Sequence, residues 1–189
     1  MPRVGLNMDR IVAAAISLIK DKGYDNFSLR ELAGKLNVKP ASLYNHTSNV
    51  AEITAAVGHT ALQSLQAQIT AARQESGADL IESLFAIADA YRSYAKENPE
   101  LYKAIVHLPS YEDERLKAES HSLMDALYEL LEQLIPHQPD RIHFARAFRS
   151  AMHGFVSLEM SGYFKNLPDN DISYRYLIGS LLEPLKRQV

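Results

Sequence analysis

Between Lys39 and His46 the chain reads Lys-Pro-Ala-Ser-Leu-Tyr-Asn-His, in which Leu43 is the lone apolar anchor. The other side chains are small, charged or able to hydrogen-bond, so the segment has too little apolar surface to belong to a core. Its chemistry is recognition. An asparagine such as Asn45 can pair with adenine in a major groove, and an alanine such as Ala41 can touch a thymine methyl. Hydroxyls and ammonium groups at Ser42, Tyr44 and Lys39 suit phosphates as well as base edges. Bond-breaking chemistry has no comparable constellation: no Ser/His/Asp order and no glycine-rich phosphate loop stand out. Of seven histidines, His59, His107, His121, His137, His143 and His153 fall on different predicted helices or loops. None is paired at i, i+4 or set in an HExxH motif. The sequence therefore predicts no enzyme, no metal site and no cofactor.

Two further elements are needed to hold that segment. Ser28 with Glu31 three residues on is a capping box, so a helix begins there. Leu29, Leu32, Ala33 and Leu36 follow at i, i+3, i+4 and i+7, one face of a short helix. Asn37 tolerates the left-handed conformation that ends a helix, and Pro40 suits the first position of the next one. A buried helix, a turn of about four residues and a helix with one anchor make a helix-turn-helix. Upstream, Asn7 caps a predicted helix over Met8–Lys22, with Ile11, Ala14, Ala15, Leu18 and Ile19 as its apolar stripe and Gly23 at its end. Tyr24 and Phe27 are expected to pack beneath the second helix.

This stretch resembles the N-terminal DNA-binding domain of the TetR (TetR/AcrR type) family of bacterial transcriptional regulators. The resemblance rests on Phe27-Ser28-Leu29-Arg30-Glu31-Leu32-Ala33 before the turn and Leu43-Tyr44-Asn45-His46 after it. It implies base-edge contacts from Lys39, Pro40, Ala41, Asn45 and His46. Phosphate contacts are implied for Ser28, Arg30, Ser42, Tyr44 and Ser48, and Arg3 on the N-terminal arm is a further candidate. Two positions depart from the family pattern: Thr47 stands where Phe is common, and Val50 where a phosphate-touching Lys is common. Ser48 or Asn49 is expected to cap the helix that follows and to point its amides at a phosphate.

Charge is divided along the chain in the sense such a role requires. The net charge is −3, yet residues 1–50 carry seven lysines and arginines against four acids, leaving −6 for the rest. There is no cysteine, so disulfides and thiolate zinc sites are excluded. The apolar run Ile11–Ile19 is far short of the roughly 20 residues of a membrane span, and the chain is expected to be soluble and cytoplasmic.

The remainder is predicted to be all-α, giving an N-terminal three-helix helix-turn-helix domain (residues 1–50) and a C-terminal helical bundle for ligand binding and dimerisation (51–189). A connecting helix is predicted over about Val50–Gln74, another over Asp79–Glu97, and a short one from Pro99 closed by Pro109. Glu112–Lys117 reads as a loop or a solvated first turn, and the helix after it runs to about Ile135. Pro136-His137-Gln138-Pro139 reads as a stop, after which Asp140 caps a helix over 141–164; a last helix covers 172–186. Met152-His153-Gly154 is similar to the Trp-His-Gly motif of one C-terminal domain type in the family. The resemblance implies a homodimer through the last two helices and a palindromic double-stranded DNA operator. A small-molecule effector is expected, with Tyr91, Tyr94, Tyr102, His107, Met124, Tyr128 and Phe155 as candidate lining residues. The function implied is a sequence-specific repressor released by its ligand. The alternative is an all-helical small-molecule-binding protein with a vestigial helix-turn-helix.

Overall fold

The computed structural model describes residues 5–108, 127–165 and 169–186. Among these there is no strand, and the elements are α1 (Met8–Lys22), a 3-10 turn (Tyr24–Asn26), α2 (Leu29–Lys35), α3 (Pro40–Leu43), α4 (Val50–Glu75), α5 (Leu80–Glu97), α6 (Pro99–Val106), α7 (residues 127–134), α8 (Gln138–Met160) and α9 (Asn170–Lys186). Arg3, Pro109, Glu112–Lys117 and Met124 lie outside the described residues.

Local sequence signals set most of the ends. The Asn7 side chain accepts the Arg10 amide at 3.0 Å, and Gly23, at φ 95°, closes α1 with its N–H on the Ile19 carbonyl. Ser28 accepts the Glu31 amide at the start of α2. After α2, Asn37 takes φ 53°, and the Val38 amide reaches back to the Ala33 carbonyl at 3.0 Å. These are the left-handed residue and the six-to-one bond of a Schellman stop. Two expectations are corrected. Pro139 does not stop the chain but sits in the first turn of α8, which begins at Gln138 with His137 as N-cap; a proline is harmless there because the amide it lacks has no helical partner. The helix after Pro40 ends at Leu43 rather than reaching His46, and residues 44–46 form a turn.

The chain divides into two compact units. The first contains residues 1–63 and 98–117, more than the 1–50 expected, because α6 and the first half of α4 join its core. That core combines Ile11, Ala15 and Ile19 of α1, Leu32 of α2, Leu43 of α3, Ile53 and Val57 of α4, and Leu101 and Ala104 of α6. Tyr24 and Phe27 pack against it, half-buried. Glu100 accepts the Tyr24 amide at 2.7 Å, and the Tyr24 ring stacks on His107 with centroids 5.3 Å apart. Gly58 lets α4 and α6 meet: a Cβ there would lie 2.5 Å from Leu108 Cδ2 and 3.0 Å from the Ala104 carbonyl oxygen.

The second unit holds residues 64–97 and 118–189. Arg92 of α5 is buried there. It forks onto Glu159 of α8 (Nε–Oε2 2.8 Å, Nη2–Oε1 2.6 Å) and reaches Asp171 of α9 at 2.8 Å. Its guanidinium lies over the Tyr174 ring at 4.9 Å and the Phe155 ring at 5.6 Å. The fully buried Tyr174 hydroxyl donates to the Ala88 carbonyl at 2.8 Å. Paired and stacked in this way, the cation has its desolvation cost offset and ties three helices together.

Two stability changes follow. In an open helix Gly→Ala gains about 1 kcal/mol, whereas Gly58→Ala is expected to cost about 1–3 kcal/mol by overpacking, read as a lower urea midpoint. Arg92→Met, which strips the half-buried Glu159 carboxylate of its guanidinium partner, is expected to cost about 1–3 kcal/mol at pH 7. The Arg92 bonds hold the Glu159 carboxyl below its ordinary value, so the folded state takes up that proton less readily than the unfolded chain. The carboxylate's contribution is full above about pH 4.5 and is lost as pH falls from there through the lower folded value. Urea titrations of wild type and Glu159→Gln between pH 7 and pH 3 should therefore converge on acidification.

Candidate nucleic-acid interface

The fully buried Leu43 pins the short α3 into the first unit. Around it Lys39, Pro40, Ala41, Tyr44, Asn45 and His46 are exposed, and Ser42 is half-buried. Tyr44 is 58% exposed, large for an aromatic side chain. The tight turn after Leu43 is held by the His46 and Thr47 amides, which both donate to the Leu43 carbonyl, at 2.9 and 3.1 Å. It fans Tyr44, Asn45 and His46 outward in place of another helical turn. The side chains of Lys39, Tyr44, Asn45 and His46 have no hydrogen bond or ion pair among the described residues.

Cations near this face are divided between structure and solvent. Lys22 pairs with Glu31, Lys35 with Asp21 at 3.5 Å, and the Arg10 guanidinium donates to the Gly5 carbonyl. Arg30 is exposed and has no such partner among the described residues. Ser28 is exposed but occupied: it accepts the Glu31 amide and donates to Glu31 Oε2 at 2.9 Å. Lys22 and Ser28 together hold the Glu31 carboxyl below the ordinary range.

The segment after the turn carries a device that the candidate residues do not include. Thr47 is 4% exposed, and its hydroxyl lies 2.9 Å from the Asn49 carbonyl and 3.0 Å from Glu52 Oε2. Glu52 Oε2 also accepts the Ser48 amide at 2.7 Å, while the Glu52 amide donates to Asn49 Oδ1 at 2.9 Å. Thr47 is thus a buried polar plug where the family pattern has an apolar one. Asn49 is the cap, as expected, but the Ser48 amide is taken internally. The Ser48 amide, then the Thr47 hydroxyl, hold the Glu52 carboxyl below its ordinary value, so α4 opens on a fixed negative charge, favourable to its dipole. The signal for Glu52 was legible, because Asn49-x-x-Glu52 is itself a capping-box spacing.

The candidate effector residues do not form one set. Tyr102, buried, and His107, exposed, belong to the first unit. Tyr91, Tyr94 and Phe155 are buried in the second unit, with Tyr128 half-buried. The Tyr91 hydroxyl lies 3.4 Å from His153 Nδ1, and burial, with a smaller effect from Arg149, lowers the His153 pKa. Phe155 is committed to packing against Phe164 and Tyr174, at 5.0 Å to each ring. No described helix is long and apolar enough to cross a membrane.

A three-helix reader on a buried anchor, followed by a helical second unit, defines a helix-turn-helix regulator. The family described as bacterial regulatory proteins, tetR family, matches residues 11–57, and the family described as tetracyclin repressor-like, C-terminal domain, matches residues 84–181. The chain is 32% identical over 185 residues, 97% of its length and 95% of the relative's, to the uncharacterized HTH-type transcriptional regulator YobS of Bacillus subtilis (strain 168). Among solved structures it resembles a protein with unknown function from Rhodococcus sp. RHA1, with a TM-score of 0.78, 21% identity and coverage of 99% and 97% of the two chains. It also resembles BioQ in complex with its natural double-stranded DNA operator, with a TM-score of 0.70, 20% identity and coverage of 97% and 99%. The chain belongs to the TetR family of bacterial transcriptional regulators. It is a DNA-binding regulator of transcription.

Proposed function

We propose that the protein is a repressor that binds a palindromic operator as a homodimer and is released by a small molecule held in its helical second unit. The observation that carries the operator-reading part is the set of exposed side chains at Lys39, Tyr44, Asn45 and His46, without partners among the described residues and fixed on the buried Leu43. Asn45, with Ala41, Lys39, Pro40 and His46, reads base edges; Tyr44, Ser42, Ser48 and Arg30 meet phosphates, and Arg3 serves from the arm. Ser28 acts chiefly by keeping α2 capped. BioQ, with the same fold, has been solved on its operator, which supports a DNA-facing role for this unit.

For the dimer, the support is apolar surface that the second unit leaves uncovered. Tyr176 is 78% and Ile172 68% exposed on α9, and Leu158 is exposed on α8. Pairing of α8 and α9 with their copies buries these side chains, and a two-fold axis sets two α3 elements about 34–36 Å apart, one turn of DNA. The effector is held in the segment matching the tetracyclin repressor-like domain, residues 84–181. On this reading the protein works in the cytoplasm, where its operator is.

Fluorescence anisotropy with DNA upstream of the protein's own gene, at stated salt, tests the reading. Asn45→Ala should cost about 1–3 kcal/mol on the operator and less on unrelated DNA. Tyr44→Phe, losing a hydroxyl to a charged acceptor, should cost about 1.5–3 kcal/mol on both. Val50→Lys should tighten binding and steepen the slope of log K against log salt by about 1. Unchanged affinity in both the Asn45 and Tyr44 variants, with circular dichroism intact, excludes α3 as the reader. Tyr176→Glu should shift the sedimenting species from dimer to monomer.

A further inference from the structure

Between α1 and α4 the first unit carries a groove of about 580 Å³, within the roughly 300–1,000 Å³ typical of small-molecule sites. Its apolar wall comes from Val12, Ala13 and Ile16 on one helix and Ala55 and Ala56 on the other. Its charged groups are all of one sign. Asp9 and Glu52 line it, with no lysine or arginine. The Asp9 carboxylate has no hydrogen bond or ion pair among the described residues. The buried His59 and the exposed Gln63 add polar groups to the same wall. Phosphate and carboxylate ligands are disfavoured by two like charges, whereas a cation gains from both.

We propose that this groove is a ligand site inside the DNA-binding unit, and that it takes a compact organic cation. An ammonium or amidinium group sits beside Asp9 and Glu52, and an apolar or aromatic body lies against the alanines and valine. The site is distinct from the effector site proposed for the second unit, since its lining comes entirely from residues 8–63 of the first. Glu52 belongs both to this groove and to the bonds that hold Thr47 and Ser48 just after the reading turn. A cation that draws on the Glu52 carboxylate weakens those bonds, so occupation of the groove lowers operator affinity. That coupling rests on the DNA-reading role proposed above; the binding itself does not.

The test uses the full-length protein and three probes of one shape: phenethylammonium, the neutral 2-phenylethanol and the anionic 3-phenylpropionate. Titration calorimetry without DNA should show the ammonium binding at least about tenfold more tightly than the alcohol, with no binding of the anion. Ala13→Trp, which fills the groove from an exposed position, should abolish binding and leave operator affinity unchanged. Asp9→Asn should weaken ammonium binding about tenfold. Saturating phenethylammonium should lower the operator affinity of wild type about three- to tenfold, with no effect on Ala13→Trp. Equal binding of the alcohol, no binding of the ammonium, or binding that survives Ala13→Trp overturns the site. Ammonium binding that is blocked by Ala13→Trp yet leaves the DNA titration unmoved keeps the site and overturns its coupling. Failure of the protein to bind operator at all would appear in the DNA titration alone.

Discussion

A helix of four residues has no stability of its own in water, because nucleation costs more than one turn of hydrogen bonds returns. The helix α3, Pro40–Leu43, is of that kind, and its place is set by the burial of Leu43 among α1, α2 and α4. Full burial of one leucine is worth about 1.5–3 kcal/mol, enough to hold a short segment only if the chain arrives and leaves in fixed directions. The Schellman stop around Asn37 fixes the arrival. The bonds of Thr47, Ser48 and Glu52 fix the departure. Within that frame the exposed side chains of Lys39, Tyr44, Asn45 and His46 have no partners among the described residues, and their polar groups stay available to an outside ligand.

Electrostatics is arranged differently in the two units. In the first, Lys22 and Lys35 are spent on Glu31 and Asp21, whereas Lys20, Arg30 and Lys39 are free of such pairing among the described residues. The charge excess of residues 1–50 is therefore sharper in effect than its size suggests. In the second unit Arg92 does the opposite and is withdrawn from water altogether. Its fork onto Glu159 and its stacking on Tyr174 bind α5 to α8 and α9. One class of side chain thus stays in water in the first unit and holds helix registry where it is buried in the second.

The parts of the fold legible in the sequence are those decided within a few residues. Asn7, Ser28 and Asn37 announce their helix ends because capping and left-handed turns are local chemistry, and Leu43 stands out because its neighbours are polar. Long-range pairing was not legible. Nothing in the periodicity of Pro99–Val106 says that it packs with α1 and α4, because that depends on the gap left by Gly58 and on Glu100 meeting the Tyr24 amide. Tyr102 and His107 fall in a different unit from Tyr91 and Phe155 for the same reason: helical spacing assigns a face but not the unit that face packs into. Pro139 misled in another way, since a proline that ends one helix and a proline that begins the next carry the same local signal. Thr47 departs from the family pattern in type, yet its hydrogen bonds let it be buried as fully as an apolar residue.

Where the chain passes from one unit to the other bears on how such a protein can be regulated. One crossing falls between Gln63 and Ser64, inside α4; another falls between Glu97 and Asn98, at the junction of α5 and α6. The 26 residues of α4 rise about 1.5 Å each. Its cap Asn49 and its first-turn Glu52 fix the exit from the turn at residues 44–46. The cap is also where the chain stakes least on packing, since Ser48, Asn49 and Glu52 are exposed and their hydrogen bonds compete with water. A coupling of only about 1–3 kcal/mol is enough to change affinity 5–150-fold, so a regulator of this kind needs no large rearrangement.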